Sequence, residues 1–236
     1  MSIWVRVGDF VANVASNALT SVVEAVRTAF EGDPETRRRV AFSIAMIALS
    51  AKMAKADGIV TDKEIRAFQQ IFSIPESERA HVARLYNLAK QDTAGYESYA
   101  AQMASLCGSG HPNCKCLEDI LDGLFHIAKA DDYVHEKELA FLTRVGEIFG
   151  FDEAHFQAIV ARHIDLGEAD PYVILGLPRG ASFEEARRRY RQLAAENHPD
   201  KLAARGVPNE FLTIANDRIA AINGAWEKLE RELKAA

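Results

Sequence analysis

Apolar residues recur at three- and four-residue spacing along most of this chain, a pattern that predicts an all-α protein. The first helix runs from Ile3 to about Phe30, with Ile3, Val7, Phe10, Val14, Val22 and Val26 near one face. Glu31-Gly32-Asp33-Pro34 ends it, since Gly supplies a stop and Asp-Pro can start the next helix. Helical patterning resumes at Glu35 and continues to about Ile164, and a short polar linker follows at 165–169. Asp170 to Pro178 then gives a short helix closed by Gly176. Ser182 caps the next one, which runs to about Asn197 with Glu184 and Glu185 in its first turn. Pro199 fixes its own φ and pushes His198 out of helical geometry, so that helix stops there. From about Asn209, Phe211, Ile214, Ala215, Ile219, Ile222, Trp226 and Leu229 form a long stripe. This stripe is expected to pack antiparallel to Ala186, Tyr190, Leu193 and Ala194, around Tyr172, Leu175 and Leu177.

The region from 35 to 164 contains an internal repeat. The stretch from Ala54 to Ile65 (AKADGIVTDKEI) recurs 74 residues later from Ala128 to Leu139 (AKADDYVHEKEL). Ile44, Ile47 and Ala48 precede the first copy and Ile120, Leu121 and Leu124 the second. Phe68, Ile71 and Phe72 follow the first, and Leu142, Val145 and Ile148 the second. Each copy therefore reads as helix, short turn, helix, and two such hairpins can bury their apolar faces in one bundle. In the first copy Thr61 and Glu64 fit a capping box; in the second His135 replaces the Thr, which predicts a weaker cap. A conventional calcium loop is excluded. Aligning Glu64 with the last loop position puts Met53 and Lys55 where oxygen ligands belong, and the second copy offers Ile127 and Lys129 there.

Composition bounds the function. The chain has 236 residues, enough for two ordinary domains, and is 48% hydrophobic and 26% charged, which is globular. Its net charge is −6; the stretch from Asp170 onward carries +1 and the first 169 residues −7, an acidic balance that argues against general nucleic-acid binding. The three cysteines, Cys107, Cys114 and Cys116, are odd in number and build no disulfide framework, so a reducing, cytoplasmic compartment is expected. With His111 they offer soft metal ligands, but at irregular spacing within a Gly- and Pro-marked loop, which favours incidental thiols over a zinc site. The uncharged run from Phe10 to Val23 is too short and too polar for a membrane span of about 20 residues. The N-terminal helix is therefore expected to pack on the helical domain or to self-associate as a homodimer, with membrane contact at most peripheral.

The C-terminal segment holds the most specific pattern. Asp-Pro-Tyr-x-x-Leu-Gly-Leu from Asp170, Tyr190-Arg191-x-Leu193-Ala194, His198-Pro199-Asp200-Lys201 and Ile222-Asn223-x-Ala225-Trp226-x-x-Leu229 together resemble the J-domain. The repeat, with its Ala-x-Ala-Asp-Gly-x-(Val/Ile) core, resembles the TerB-like helical domain. The order of the two is similar to that of DjlA-type co-chaperones. The expected organisation is an N-terminal amphipathic helix at 1–31, a TerB-like helical bundle at 35–164, a linker at 165–169 and a J-domain helical hairpin at 170–236. There is no Gly/Phe-rich linker and no paired CxxC zinc region, so a general DnaJ chaperone is excluded. DjlA-type proteins also carry an N-terminal transmembrane helix, which this amphipathic segment does not match.

The resemblance implies a non-enzymatic co-chaperone that binds a DnaK-class chaperone and stimulates its ATP hydrolysis. His198, Pro199 and Asp200 would transmit the effect, while Arg187, Arg188, Arg191 and Lys201 would steer the encounter. Gln192, Glu196 and Asn197 depart from the usual basic or aromatic residues, which thins the basic face. The TerB-like resemblance implies a divalent metal held by Asp57, Glu64, Asp131 and Glu138, against an ordinary role in caps and solvated turns. A metal-binding stress protein with a vestigial J-domain is the alternative reading, and a DNA-binding helix pair is disfavoured by the +1 charge of the module.

Overall fold

The computed structural model describes residues 3–13, 33–57, 74–91, 95–106, 111–131, 133–164, 170–205, 207–208 and 211–235. Among them every regular element is helical. The helices are α1 (Ile3–Asn13), α2 (Pro34–Asp57), α3 (Arg79–Gln91), α4 (Tyr96–Leu106), α5 (Lys115–Ala128), α6 (Glu136–Ile148) and α7 (Glu153–His163). Then come α8 (Pro171–Leu175), α9 (Phe183–Glu196), α10 (Pro199–Ala204) and α11 (Leu212–Ala235). None of the described helices is long and apolar enough to cross a membrane.

Helix α2 is the centre of the first domain, packed against α1, α3, α4, α5 and α6. Every residue from Val40 to Ala54 is buried, so α2 is enclosed on all sides and is not the one-faced helix of a simple hairpin. Its polar side chains are satisfied locally: Ser43 and Ser50 donate to the carbonyls of Arg39 and Met46. The Lys52 ammonium lies 4.4 Å from the centroid of the Tyr99 ring. The second repeat copy folds as predicted, with α5 and α6 joined through a 3-10 turn at Lys129–Asp131. The first copy's turn and following helix, including Thr61, Phe68, Ile71 and Phe72, lie outside the described residues, as does the stretch 14–32 of the predicted N-terminal helix.

The described part of that helix packs on the helical domain. Val7 is fully buried, as expected, but the larger anchor is Trp4, which is 1% exposed and lies one turn before Val7 on the same face, though it is not among the residues named for the stripe. Trp4 lies 6.1 Å from Phe211, and Phe211 meets Phe42 edge-on at 4.9 Å. The beginning of the chain, the central helix and the C-terminal segment thus share one aromatic contact.

That contact corrects the expected packing of the last helix. Phe211, Ile214 and Ala215, with Leu202 and Val207, belong to the core of the first domain. The second core holds Ile174, Leu175, Ala186, Leu193, Ile222, Ala225 and Leu229, flanked by Tyr172, Leu177, Tyr190 and Trp226. The stripe read as one face therefore splits: its first turns face α5, and only its later turns face α9. Gly123 of α5 permits the close approach, because a Cβ there would stand 2.9 Å from Ile214 Cδ1 and 2.6 Å from Met46 Cε. Helix α8 packs on both α7 and α11, so the two domains also join there.

Candidate partner-binding site

The site is the turn between α9 and α10, held by the helices around it. Asp170 caps α8 by accepting the Tyr172 amide at 3.0 Å, and Gly176 ends α8 at φ 63°, a left-handed value that favours glycine. Ser182 and Glu185 form the capping box of α9: the Ser182 amide donates to Glu185 at 2.9 Å and the Glu185 amide to Ser182 Oγ at 3.3 Å. The Ser182 amide, and the Ser182 hydroxyl donating to the same carboxylate at 2.7 Å, favour the charged form of Glu185 and lower its pKa. Tyr190 stacks on Trp226 at 5.1 Å, and its hydroxyl donates to Asn223 at 3.1 Å, which fixes α9 against α11.

At the turn the chain alternates between buried and exposed side chains. Asn197 is 1% exposed and its amide donates to the Leu193 carbonyl at 2.7 Å. His198 is extended at φ −62°, ψ 139°, as the residue before a proline should be. Its side chain is exposed, and Nδ1 accepts the Asp200 amide at 3.3 Å. Nδ1 also stands 3.5 Å from the Asp200 carboxylate. Pro199 then occupies the first position of α10, where its missing N–H costs nothing. Apolar spacing predicts only a loop here; the local signals for a short helix are the proline at its first position and the His198 side chain on the Asp200 amide. Leu202 is fully buried in the first domain's core.

The predicted binding residues gather on the outer side. Arg187, Arg188, Arg191, His198, Asp200 and Lys201 are all exposed, and Pro199 is half-buried. The four cations make no ion pair among the described residues, although Arg188 is near enough to Glu185 to favour its charged form.

The inner side of the turn holds residues that the sequence did not flag. Glu118, Asp119 and Asp122 of α5 are all within 1% of complete burial. Glu118 meets Lys115 at 2.9 Å, His155 at 3.0 Å and Arg162 at 2.7 Å. Asp119 receives Arg205 through Nε at 2.8 Å and Nη2 at 3.1 Å, and Arg218 at 2.8 Å. Asp122 contacts Arg162, His163 and Arg218. Three carboxylates thus face three guanidiniums, two of them from the C-terminal module. Burial opposes the ionised form of Glu118 and Asp122, but Arg162 and Arg218 outweigh it and hold both carboxyls well below the usual range. For Asp119 burial prevails over Arg218 and Arg205 and pushes its carboxyl up. Burial likewise lowers the pKa of His163, despite the Asp122 contact. In sequence these carboxylates look like a solvated face, because their arginine partners lie 40 to 99 residues away.

Of the candidate metal ligands, only the Glu138 side chain is described. It is 2% exposed and accepts the His135 amide at 2.9 Å, so it makes its half of the capping box although His135 stands where Thr would. That bond closes the start of α6. The side chains of Asp57, Glu64 and Asp131 lie outside the described residues. In the cysteine loop, Cys114 is the N-cap residue of α5 and Cys116 is buried in its first turn, while Cys107 lies outside the described residues.

Comparison with known proteins agrees with this architecture. Residues 43–161 match the family described as Tellurite resistance protein TerB, and residues 170–236 match the DnaJ domain. The chain belongs to the TerB family and carries a DnaJ domain after its TerB domain. Among individual proteins, it is similar to the Co-chaperone protein DjlA of Photobacterium profundum, 28% identical over 221 residues that cover 83% of this chain and 79% of that one. The Co-chaperone protein DjlA of Coxiella burnetii is 28% identical over 76% of this chain and 73% of its own. That of Shewanella oneidensis is 41% identical over 63 residues, 27% of this chain and 24% of that protein. No solved structure matches.

Proposed function

We propose that this chain is a J-domain co-chaperone that binds a DnaK-class chaperone and stimulates its ATP hydrolysis, with no active site of its own. The observation that supports this most directly is the exposed His198-Pro199-Asp200 turn beside four exposed cations, on a helix pair otherwise closed by its own core. An exposed, unpaired basic face suits encounter with an acidic protein surface, because charges committed to internal pairs would lend little steering. The turn suits a different task. Its backbone is fixed by Pro199, by the His198 side chain on the Asp200 amide and by buried Leu202, so it can bear on a partner without first being ordered. A partner whose hydrolysis-competent state binds this turn better is shifted toward that state. The departures at Gln192 and Glu196 leave the basic face thinner, so steering rests on Arg187, Arg188, Arg191 and Lys201. Single-turnover ATP hydrolysis by a DnaK-class chaperone, with and without saturating protein, tests the proposal. Acceleration is expected, and an unchanged rate would overturn it.

A further inference from the structure

The side chain immediately before the His-Pro-Asp turn is connected to the other domain. Asn197 is buried, and its Oδ1 accepts from Arg218 Nη1 at 2.8 Å. Arg218 is fully buried and is held on its other side by Asp119, at 2.8 Å, and by Asp122, both on α5 of the TerB domain. On the far side of the turn, Arg205 joins Asp119 to the Glu196 carbonyl, which it reaches at 3.0 Å. The turn is thus bracketed, at 196–197 and at 205, by bonds that end on one carboxylate pair of α5.

A free J-domain would not need this arrangement. Burying Arg218 without its carboxylates would be costly, and burying the carboxylates without Arg218 equally so. A buried ion network can fix geometry more than it adds stability, and this one joins Asn197, at the end of α9, to α5. Asn197 is where the sequence departs from the tyrosine common in J-domains. An amide there uses its nitrogen on the Leu193 carbonyl and its oxygen on Arg218, two atoms aimed in different directions.

We infer that the TerB domain is a positioning element for the partner response: Asp119 and Asp122, acting through Arg218 and Asn197, set the backbone geometry of the His198-Pro199-Asp200 turn. The inference rests on the co-chaperone reading for its functional half only. Asn197, Arg218, Asp119 and Asp122 are positioning residues and need not touch the partner.

The test uses the full chain with Asn197→Ala, which cuts the link but leaves Arg218 on both carboxylates, and Asp119→Asn, which keeps an acceptor and removes a charge from the other domain. Two readouts are taken. Amide hydrogen exchange at 198–202, without partner, should rise at least about tenfold in each variant as the turn loosens. In single-turnover assays with a DnaK-class chaperone, maximal stimulation should fall at least about threefold, while the half-saturating concentration stays within about twofold, because the exposed cations are untouched. Unchanged exchange in both folded variants would overturn the relay. Faster exchange with an undiminished maximum would overturn the positioning role. Should wild-type protein give no stimulation at all, the co-chaperone reading falls, and the exchange data still decide the relay.

Discussion

Arg205 grips Asp119 with two nitrogens, Nε at 2.8 Å and Nη2 at 3.1 Å, across 86 residues of sequence. Asp119 lies in the TerB domain and Arg205 seven residues beyond His198, so this bidentate pair fastens one domain to the other beside the proposed contact site. Bidentate guanidinium–carboxylate pairs are the strong and directional ones. Removing Arg205 leaves the buried Asp119 with Arg218 as its remaining guanidinium partner. Arg205→Met should therefore destabilise the protein by about 1–3 kcal/mol, less than the loss of a sole buried partner, with a coupling energy to Asp119→Asn of about 1–3 kcal/mol in a double-mutant cycle. Denaturant unfolding measures both, and additive losses would show that the pair is not energetically linked.

Phe211 gives a second handle on the same junction. It belongs to the C-terminal module by sequence and to the first domain's core by packing, against Trp4 and Phe42. Phe211→Ala should cost about 3–5 kcal/mol and lower the melting temperature of the whole molecule. If only the C-terminal helices melted earlier, with the rest unaffected, the shared core would be refuted.

The paired carboxylates also set a pH dependence. His163 is kept neutral by burial, facing Asp122, Arg162 and Arg218 and stacked on Phe125 at 5.1 Å. Its folded pKa lies below the ordinary 6.5, so the unfolded chain binds more protons beneath that pH, and stability falls as pH drops from 6.5 toward the folded value. Glu118 and Asp122, with depressed pKa values, give stability that is complete above about pH 4.5 and is lost as pH falls further. Asp119 acts in the opposite sense, protonating first in the folded state and softening the decline just above its ordinary value of 3.8. Melting temperature followed from pH 7.5 downward should fall in two stages, the first near the ordinary histidine range and the second in the carboxylate range. In His163→Gln the first stage should disappear; its persistence would assign that stage to another group.

How much of this is legible in the sequence depends on the range of the interaction. Ser182, Gly176, Pro199 and the second repeat copy act through neighbours a few residues away, and each can be read directly. The all-α class follows from spacing. The outer face of the site follows too, since Arg187, Arg188 and Arg191 fall off the apolar stripe of α9. The inner face does not. Glu118, Asp119 and Asp122 have the sequence appearance of a wet helix face, and only distant arginines make their burial tolerable. Phe211 and Ile214 continue the spacing of Ile222 and Leu229, so periodicity alone does not say that one helix serves two cores. Trp4 lies one turn before Val7 on the same face, but its anchoring role depends on Phe211, far away in sequence.

The exposed arginines should govern encounter, not response. Exposed charges are screened over about 8 Å at physiological salt, so their effect is long in range only when salt is low. Arg187→Ala with Arg191→Ala should slow association with a DnaK-class chaperone and make it less salt-sensitive, while the maximal rate at saturation stays near wild type. Stopped-flow association at several salt concentrations checks this. Equal salt slopes for the double variant and wild type would remove these arginines from the encounter.

The central claim is that the turn transmits the effect, and His198→Gln tests it most directly. The His198 side chain is 59% exposed, and among the described residues its one hydrogen bond is to the Asp200 amide, so the variant should keep wild-type helical content and melting temperature. Single-turnover ATP hydrolysis by a DnaK-class chaperone at saturating variant should then fall to the unstimulated rate, whereas wild-type protein accelerates it. Full stimulation by folded His198→Gln would contradict the account.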